Sequence, residues 1–323
     1  MIYPVFDLHC DTALALVEDK PETAGGLRNN KLHIDLDRAA ILPGYAQCFA
    51  CFTTPFMEQW YGVSPATVFQ RELAVIRREV ERNKDRIGIA CSPAQIQALG
   101  SQGKAAAILT IEGPAGFGFD PARLEELWDM GFRMTTLTWN EKNPLAGSHQ
   151  TGGGLTDLGR EFVKEAQRLG MAIDVSHLSD EAFWDIMDIT QAPIVASHSN
   201  SRRVCDVSRN LTDEMFRAIC ATGGVAGFNQ CAPFVGEKPD LDTVCRHILH
   251  WLELDPAGKH IALGGDLDGC SDLPEGFRGI ESYPAMAGKL LEQGLTDEQI
   301  QDIFWNNAMG VMSNAICDHA EQE

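Results

Sequence analysis

The chain has 323 residues, a hydrophobic fraction of 44% and a formal net charge of −20. That length suits one large domain or two ordinary ones, with the apolar content of a globular protein. The acidic balance, without any basic cluster, argues against nucleic-acid binding and against attraction to anionic membranes, and every apolar run is strand-length rather than membrane-length.

The first residues show no charged leader ahead of an apolar stretch, and residues 317–323 are polar. The expectation is a cytoplasmic chain with neither signal peptide nor anchor. The ten cysteines are scattered, several within apolar runs, which fits reduced thiols better than a disulfide framework. Cys48 and Cys51 share one apolar run and would face opposite ways, which disfavours a redox or zinc pair.

Eight short apolar runs succeed one another along the chain, at residues 3–9, 45–52, 105–112, 133–139, 171–177, 193–198, 224–229 and 260–266. They are rich in Val, Ile, Ala and Thr, and several are apolar on both faces, as buried parallel strands are. Between them lie segments with helical spacing. The clearest is 64–85, with Val68, Leu73, Ile76 and Val80 on one face and Arg and Glu on the other. Others are 121–130, 156–169, 179–189 and 212–221. Ser179 and Thr212 each precede two acids, as helix caps do, and Gly170 and Gly223 stand where helices end. Strand–helix alternation repeated eight times predicts an α/β fold, a (β/α)8 TIM barrel. An open doubly wound sheet would want a glycine-rich phosphate loop, and neither G-x-G-x-x-G nor a Walker pattern is present. Without repeats or linkers, residues 1–323 read as a single domain, with 276–323 packing as helices outside the barrel.

A barrel carries its chemistry at the C-terminal ends of its strands. The first predicted strand ends in His9-Cys10-Asp11, where residues two apart face one side about 7 Å apart if extended. The third ends in Glu112, the fifth in His177, the sixth in His198 and the eighth in Asp266. Five of eight strand ends thus carry metal-ligand residue types. Neutral imidazole with carboxylate suits zinc or a similar divalent ion, and this set predicts metal-dependent hydrolysis. A glutamate can bridge two metals roughly 3.5–4 Å apart, which hold and acidify a hydroxide between them. Asp266 is then free to carry a proton to a leaving amine. His33, His149, His247, His250, His260 and His319 lie in loops, helices or strand starts, where packing or the surface accounts for them.

These residues stand in a series of motifs: Asp7-Leu8-His9-Cys10-Asp11-Thr12, Ile111-Glu112-Gly113, Leu137-Thr138, Ile173-Asp174-Val175-Ser176-His177-Leu178-Ser179, Ser197-His198-Ser199, Ser208-Arg209-Asn210 and Gly264-Gly265-Asp266-Leu267-Asp268-Gly269. In this order they resemble the membrane (renal) dipeptidase family of zinc peptidases, within the amidohydrolase-like metal barrels, over nearly the whole chain. The resemblance implies a zinc-dependent dipeptidase with a binuclear centre. One zinc would be held by His9, Asp11 and Glu112, the other by Glu112, His177 and His198, with Glu112 bridging. It implies Asp266 as general acid/base, with Asp268 the alternative, and Arg209 as the grip on the substrate's C-terminal carboxylate. It also implies a homodimer and a dipeptide substrate, L,D-dipeptides included.

One position departs from the family. Mammalian members carry a substrate-contacting histidine after the Leu-Thr of the fourth strand, where this chain has Trp139, followed by Asn140 and Asn143. Indole donates one hydrogen bond and takes up no proton. Trp139 and Asn140 are therefore read as substrate-binding residues, with Asn140 or a metal polarising the carbonyl. Trp139 also motivates an alternative substrate, a non-peptide amide such as an N-acyl amino acid or a lactam. A non-catalytic small-molecule-binding barrel is the second alternative. Without the secretion signal and lipid anchor of the mammalian members, the chain reads as a microbial, intracellular relative.

Overall fold

The computed structural model describes residues 1–315. Cys317, His319 and the end of the segment expected as 276–323 lie outside these residues. Among the described residues nine parallel strands are present: β1 (Val5–Cys10), β2 (Tyr45–Phe52), β3 (Ile87–Ile89), β4 (Ala105–Glu112), β5 (Phe132–Thr136), β6 (Ala172–Asp174), β7 (Ile194–Ala196), β8 (Val225–Phe228) and β9 (Ile261–Leu263). Their order is β2-β1-β9-β8-β7-β6-β5-β4-β3, and β2 also pairs with β4. That extra pairing closes eight strands into a barrel and leaves β3 outside, against the start of β4. The eight barrel strands are the eight apolar runs; β3 was not expected, because Ile87-Gly88-Ile89 is too short to show a period.

Several strands stop short of the sequence expectation, for a shared reason. Buried carboxylates take the backbone N–H groups that a longer ladder would use. Asp174 Oδ1 accepts from Ser176 N and Ser197 N, both at 2.9 Å. Asp7 accepts from His9 N at 2.9 Å, from Gly265 N at 3.0 Å and from the Tyr283 hydroxyl. These bonds free the chain after β6, β7 and β9 to turn side chains over the barrel mouth while keeping neighbouring strands in register.

The surrounding helices begin where cap chemistry places them. Ser64, Thr156, Ser179 and Thr212 accept from the backbone N–H three residues on, opening helices Pro65–Arg82, Asp157–Arg168, Asp180–Met187 and Asp213–Ala221. Each cap is worth about 1 kcal/mol. The segment expected at 121–130 is a 3-10 turn, Pro121–Arg123, followed by helix Leu124–Asp129.

The barrel interior is filled by Phe6, Leu8, Ala46, Cys48, Ile108, Met134 and Val225. The C-terminal helix Asn307–Ala315, packed outside the strands, brings Ala308, Met309, Val311 and Met312 to this cluster. It thereby covers the N-terminal end of the barrel and leaves the opposite end for the site. Cys51 belongs to the outer core with Phe49, so it and Cys48 do face opposite ways. No helix among the described residues is long and apolar enough to cross a membrane.

Candidate metal centre and substrate cavity

The C-terminal ends of β1, β4, β6, β7 and β9 deliver His9, Asp11, Glu112, His177, His198 and Asp266 to one place, all of them buried. Glu112 sits at its centre, and its two oxygens face different partners. Oε2 lies 3.4 Å from His9 Nε2, which is itself 3.3 Å from Asp11 Oδ2. Oε1 lies 2.9 Å from His177 Nε2 and 3.7 Å from His198 Nε2. The two imidazole nitrogens are 3.0 Å apart. The arrangement leaves His9 Nε2 and Asp11 Oδ1 buried with no hydrogen-bond partner. Unpartnered lone pairs in a buried cluster are costly, and a cation meets that cost where a proton cannot satisfy every pair. Ligand atoms of His9, Glu112 and His198, and of His9, Asp11 and Asp266, lie within 4.8 Å of one another.

The electrostatics agree with ligand duty. Burial, with Arg209 behind it, holds His177 well below the usual imidazole range, and burial with His9 does the same for His198. Both present neutral rings, the form that binds a metal. Burial opposes charge on His9, but Glu112 and Asp11 outweigh it and raise its pKa. Burial, reinforced by Asp11, pushes Glu112 up to about 8. Carboxylates crowded this closely repel until a positive charge sits among them.

Outer hydrogen bonds orient the two rings. His198 Nδ1 donates to Ser197 Oγ at 2.6 Å, and Ser197 in turn donates to Asp174. His177 Nδ1 lies 3.0 Å from Asn140 Oδ1. His177 and Asp266 have φ of 71° and 55°, conformations that non-glycine residues rarely adopt. Such strain gathers at functional sites, where the surrounding bonds over-determine it.

Asp266 Oδ1 lies 4.0 Å from His9 Nε2, while Oδ2 accepts from Asn229 Nδ2 at 3.0 Å; burial raises its pKa. Asn229 is a contributor that sequence reasoning missed, since an asparagine at a strand end carries no signal of its own. Asp268 is otherwise engaged. It accepts from the Thr12 hydroxyl and from His33 N, each at 2.6 Å, and so ties the turn after β9 to the chain after β1. Arg209 is 4% exposed. Its Nη1 donates to Ser199 Oγ at 2.8 Å, while Nε and Nη2 are buried without a partner.

Over the centre lies a cavity of ≈ 290 Å³, lined by Asp11, Glu112, His177 and Asp266 at its base and by Phe52, Trp139 and Phe234 on its walls. That is at the lower limit for small-molecule sites, which run from about 300 to 1,000 Å³. Trp139 is half-buried and meets Phe52 edge-on at 5.1 Å and Trp60 at 5.6 Å. Asn140 lines the same cavity. Asn143 does not: its Nδ2 donates to Leu137 O and its Oδ1 accepts from Leu145 N, pinning the loop.

The family model for membrane dipeptidase, peptidase family M19, matches residues 2–322. The chain belongs to this family. It is 32% identical to an uncharacterized dipeptidase of Schizosaccharomyces pombe, over 82% of this chain and 68% of that protein. It is 31% identical to an uncharacterized Klebsiella pneumoniae protein, over 77% of this chain and 97% of that one. Among solved structures it resembles a metallopeptidase of Rhodobacter sphaeroides, liganded with a phosphinate mimic of the dipeptide L-Ala-D-Ala, with a TM-score of 0.88. The match has 24% identity and covers 98% of this chain and 100% of that one. The barrel read from the sequence is therefore the M19 fold, and the chain is a metallo-dipeptidase, a hydrolase acting on peptide bonds.

Proposed function

We propose that the chain acts as one barrel domain, holds two zinc ions across Glu112, and hydrolyses dipeptides, L,D-dipeptides among them. The observation that carries this is the division of Glu112. One oxygen faces His9 and Asp11, and the other faces His177 and His198. Two imidazole-and-carboxylate donor sets sharing one glutamate suit zinc. When bound, the metals supply Lewis acidity, lowering the pKa of a water and stabilising negative charge on the carbonyl oxygen.

The chain's own residues do the rest. Arg209 offers Nε and Nη2, two parallel donors that match a carboxylate, to the substrate's C-terminus. Binding there also satisfies two donors that are otherwise buried and unpaired. Asp266, oriented by Asn229, takes the proton of the attacking water at Oδ1. It returns that proton to the amine nitrogen as the C–N bond breaks. Trp139 and Phe52 exclude water from one side of the cavity, and Asn140 meets the substrate from the same side. The L-Ala-D-Ala mimic held by the Rhodobacter structure supports an L,D-substrate of this size. Nine free cysteines and no disulfide among the described residues support a reducing, cytoplasmic setting.

The test is metal content per chain by elemental analysis, with hydrolysis of L-Ala-D-Ala and L-Ala-L-Ala. About two zinc per chain with turnover is expected. One metal per fully active chain would overturn the shared-glutamate reading, and two metals without turnover of either dipeptide would overturn the substrate.

A further inference from the structure

After β5 the chain turns at Trp139-Asn140 and runs irregularly to Leu155 before the next helix. This loop is fastened to the segment carrying His177. His149 N donates to His177 O at 2.8 Å, and Ser148 pairs with Leu178. Ser148 Oγ donates to Asn140 O at 2.6 Å. At the end of the loop's reach, His149 Nε2 lies 2.8 Å from Asn140 Oδ1, and His149 Nδ1 lies 3.0 Å from Ser208 Oγ.

We propose that His149 and Asn140 are positioning residues that hold His177 in its ligand tautomer, through the relay Ser208–His149–Asn140–His177. The proton inventory of four groups leads there. His177 Nε2 is the nitrogen aimed at Glu112 and His198, so its lone pair must face the centre and its proton must sit on Nδ1. Nδ1–H needs an acceptor, and the Asn140 group 3.0 Å away is therefore the amide oxygen. An amide oxygen has two lone pairs, and His149 Nε2–H takes the second. His149 Nδ1 is then left as an acceptor for the Ser208 hydroxyl. Every proton in the relay has one consistent place, and the amide of Asn140 cannot flip without facing both imidazole N–H groups with its own NH2. Ser208 precedes Arg209, so the relay also joins the backbone of the proposed carboxylate grip to the ring of a proposed ligand. Metal-binding histidines depend on such partners, and losing one costs about 10–100-fold in metal affinity.

The proposal rests on the reading of His177 as a ligand and is tested without substrate. Zinc affinity of the whole chain is measured by chelator competition for four forms: unsubstituted, His149→Phe, Asn140→Leu and Asn140→Asp. His149→Phe removes the donor at similar bulk, and Asn140→Leu removes the acceptor. Both are expected to weaken the zinc that His177 would hold by about 10–100-fold, while the metal-free unfolding midpoint stays within a few degrees. Asn140→Asp keeps an acceptor for both rings and is expected to retain zinc within about threefold. A general packing role would not produce that rescue. Asn140→Leu and His149→Phe binding zinc as tightly as the unsubstituted chain overturns the proposal, as does Asn140→Asp failing alongside Asn140→Leu. Should Asn140→Leu not fold, His149→Phe decides alone. Tight zinc in the unsubstituted chain without dipeptide turnover refutes the substrate reading and leaves the relay standing. An unsubstituted chain that binds no zinc overturns both.

Discussion

Replacing Arg209 with methionine separates binding from stability in a single variant. Arg209 is buried, with one donor engaged by Ser199 and two facing no partner. On the proposed reading, a dipeptide carboxylate supplies two charge-assisted hydrogen bonds, each worth about 1.5–3 kcal/mol. Their loss, less the desolvation of both ions, comes to about 3–4 kcal/mol, or about 10²–10³ in kcat/KM. The assay compares L-Ala-D-Ala with its C-terminal amide. The unsubstituted chain should strongly prefer the free acid, and Arg209→Met should handle the two alike. Stability should move the other way. Two unpaired buried donors destabilise the free protein by about 1–3 kcal/mol, and methionine fills similar space without them. The urea midpoint of Arg209→Met should therefore rise despite the lost Ser199 bond. Equal loss of activity toward acid and amide would refute the carboxylate grip. A lower midpoint would refute the claim that the guanidinium is strained by lack of a partner.

Three further outcomes follow from the same structure. Asp266→Asn should lower kcat by about 10²–10⁴ with metal content unchanged, checked by steady-state kinetics and elemental analysis, since it removes a proton carrier and keeps the volume. Gly113→Ala should destabilise by at least about 1–3 kcal/mol in urea unfolding, because φ is 75° there and an added Cβ would strike the Thr53 carbonyl oxygen. The third concerns pH. Burial lowers His247 to about 4, with Nδ1 accepting from Ser201 N and Nε2 donating to Val235 O. Its folded pKa lies below the unfolded value of about 6.5, so the unfolded chain binds the extra proton first. Stability from this group is full above pH 6.5 and is lost as pH falls toward 4, by about 3 kcal/mol. His247→Asn should flatten that part of the stability profile, and an unchanged slope would count against the neutral buried ring.

The barrel and the gathering of polar strand-end residues at its mouth were legible because they share one cause. Parallel strands covered on both faces read as apolar runs, and a polar residue ending such a run has only the barrel mouth to face. His9, Glu112, His198 and Asp266 each stand at the end of such a run. His177 was legible for the same reason, although its strand stops at Asp174 and the ring reaches the centre through a left-handed turn. Residues that act through another side chain were not legible. Asp174 read as one more strand residue, yet its carboxylate fixes Ser197 and through it His198. His149 read as a loop histidine because the partners that give it a task, Asn140 and Ser208, are 9 and 59 positions away in sequence. No period or cap pattern reports contacts of that kind.

Four of the unpartnered buried atoms show where the fold gives up stability for chemistry. His9 Nε2, Asp11 Oδ1 and the two Arg209 nitrogens are buried polar groups without hydrogen bonds; Asp11 lines the cavity, and the Arg209 guanidinium lies over the ring of its wall residue Phe234 at 5.7 Å. Scattered through a core, such atoms would mark poor packing. Here each lies beside groups held rigidly by others, Asp7 beneath His9 and Ser199 beside Arg209. Their neighbours cannot relax to meet them, so the missing partners have to come from outside the chain. The two sets differ in what they ask for. The His9 side is rich in carboxylate and wants a cation, and the Arg209 side wants an anion. A zwitterionic dipeptide beside a metal centre satisfies both at once, whereas a neutral amide leaves the guanidinium as unpaired as before. On the proposed reading, local sequence rules fail at this cavity because the partners they presume belong to the substrate and the metal rather than to the protein.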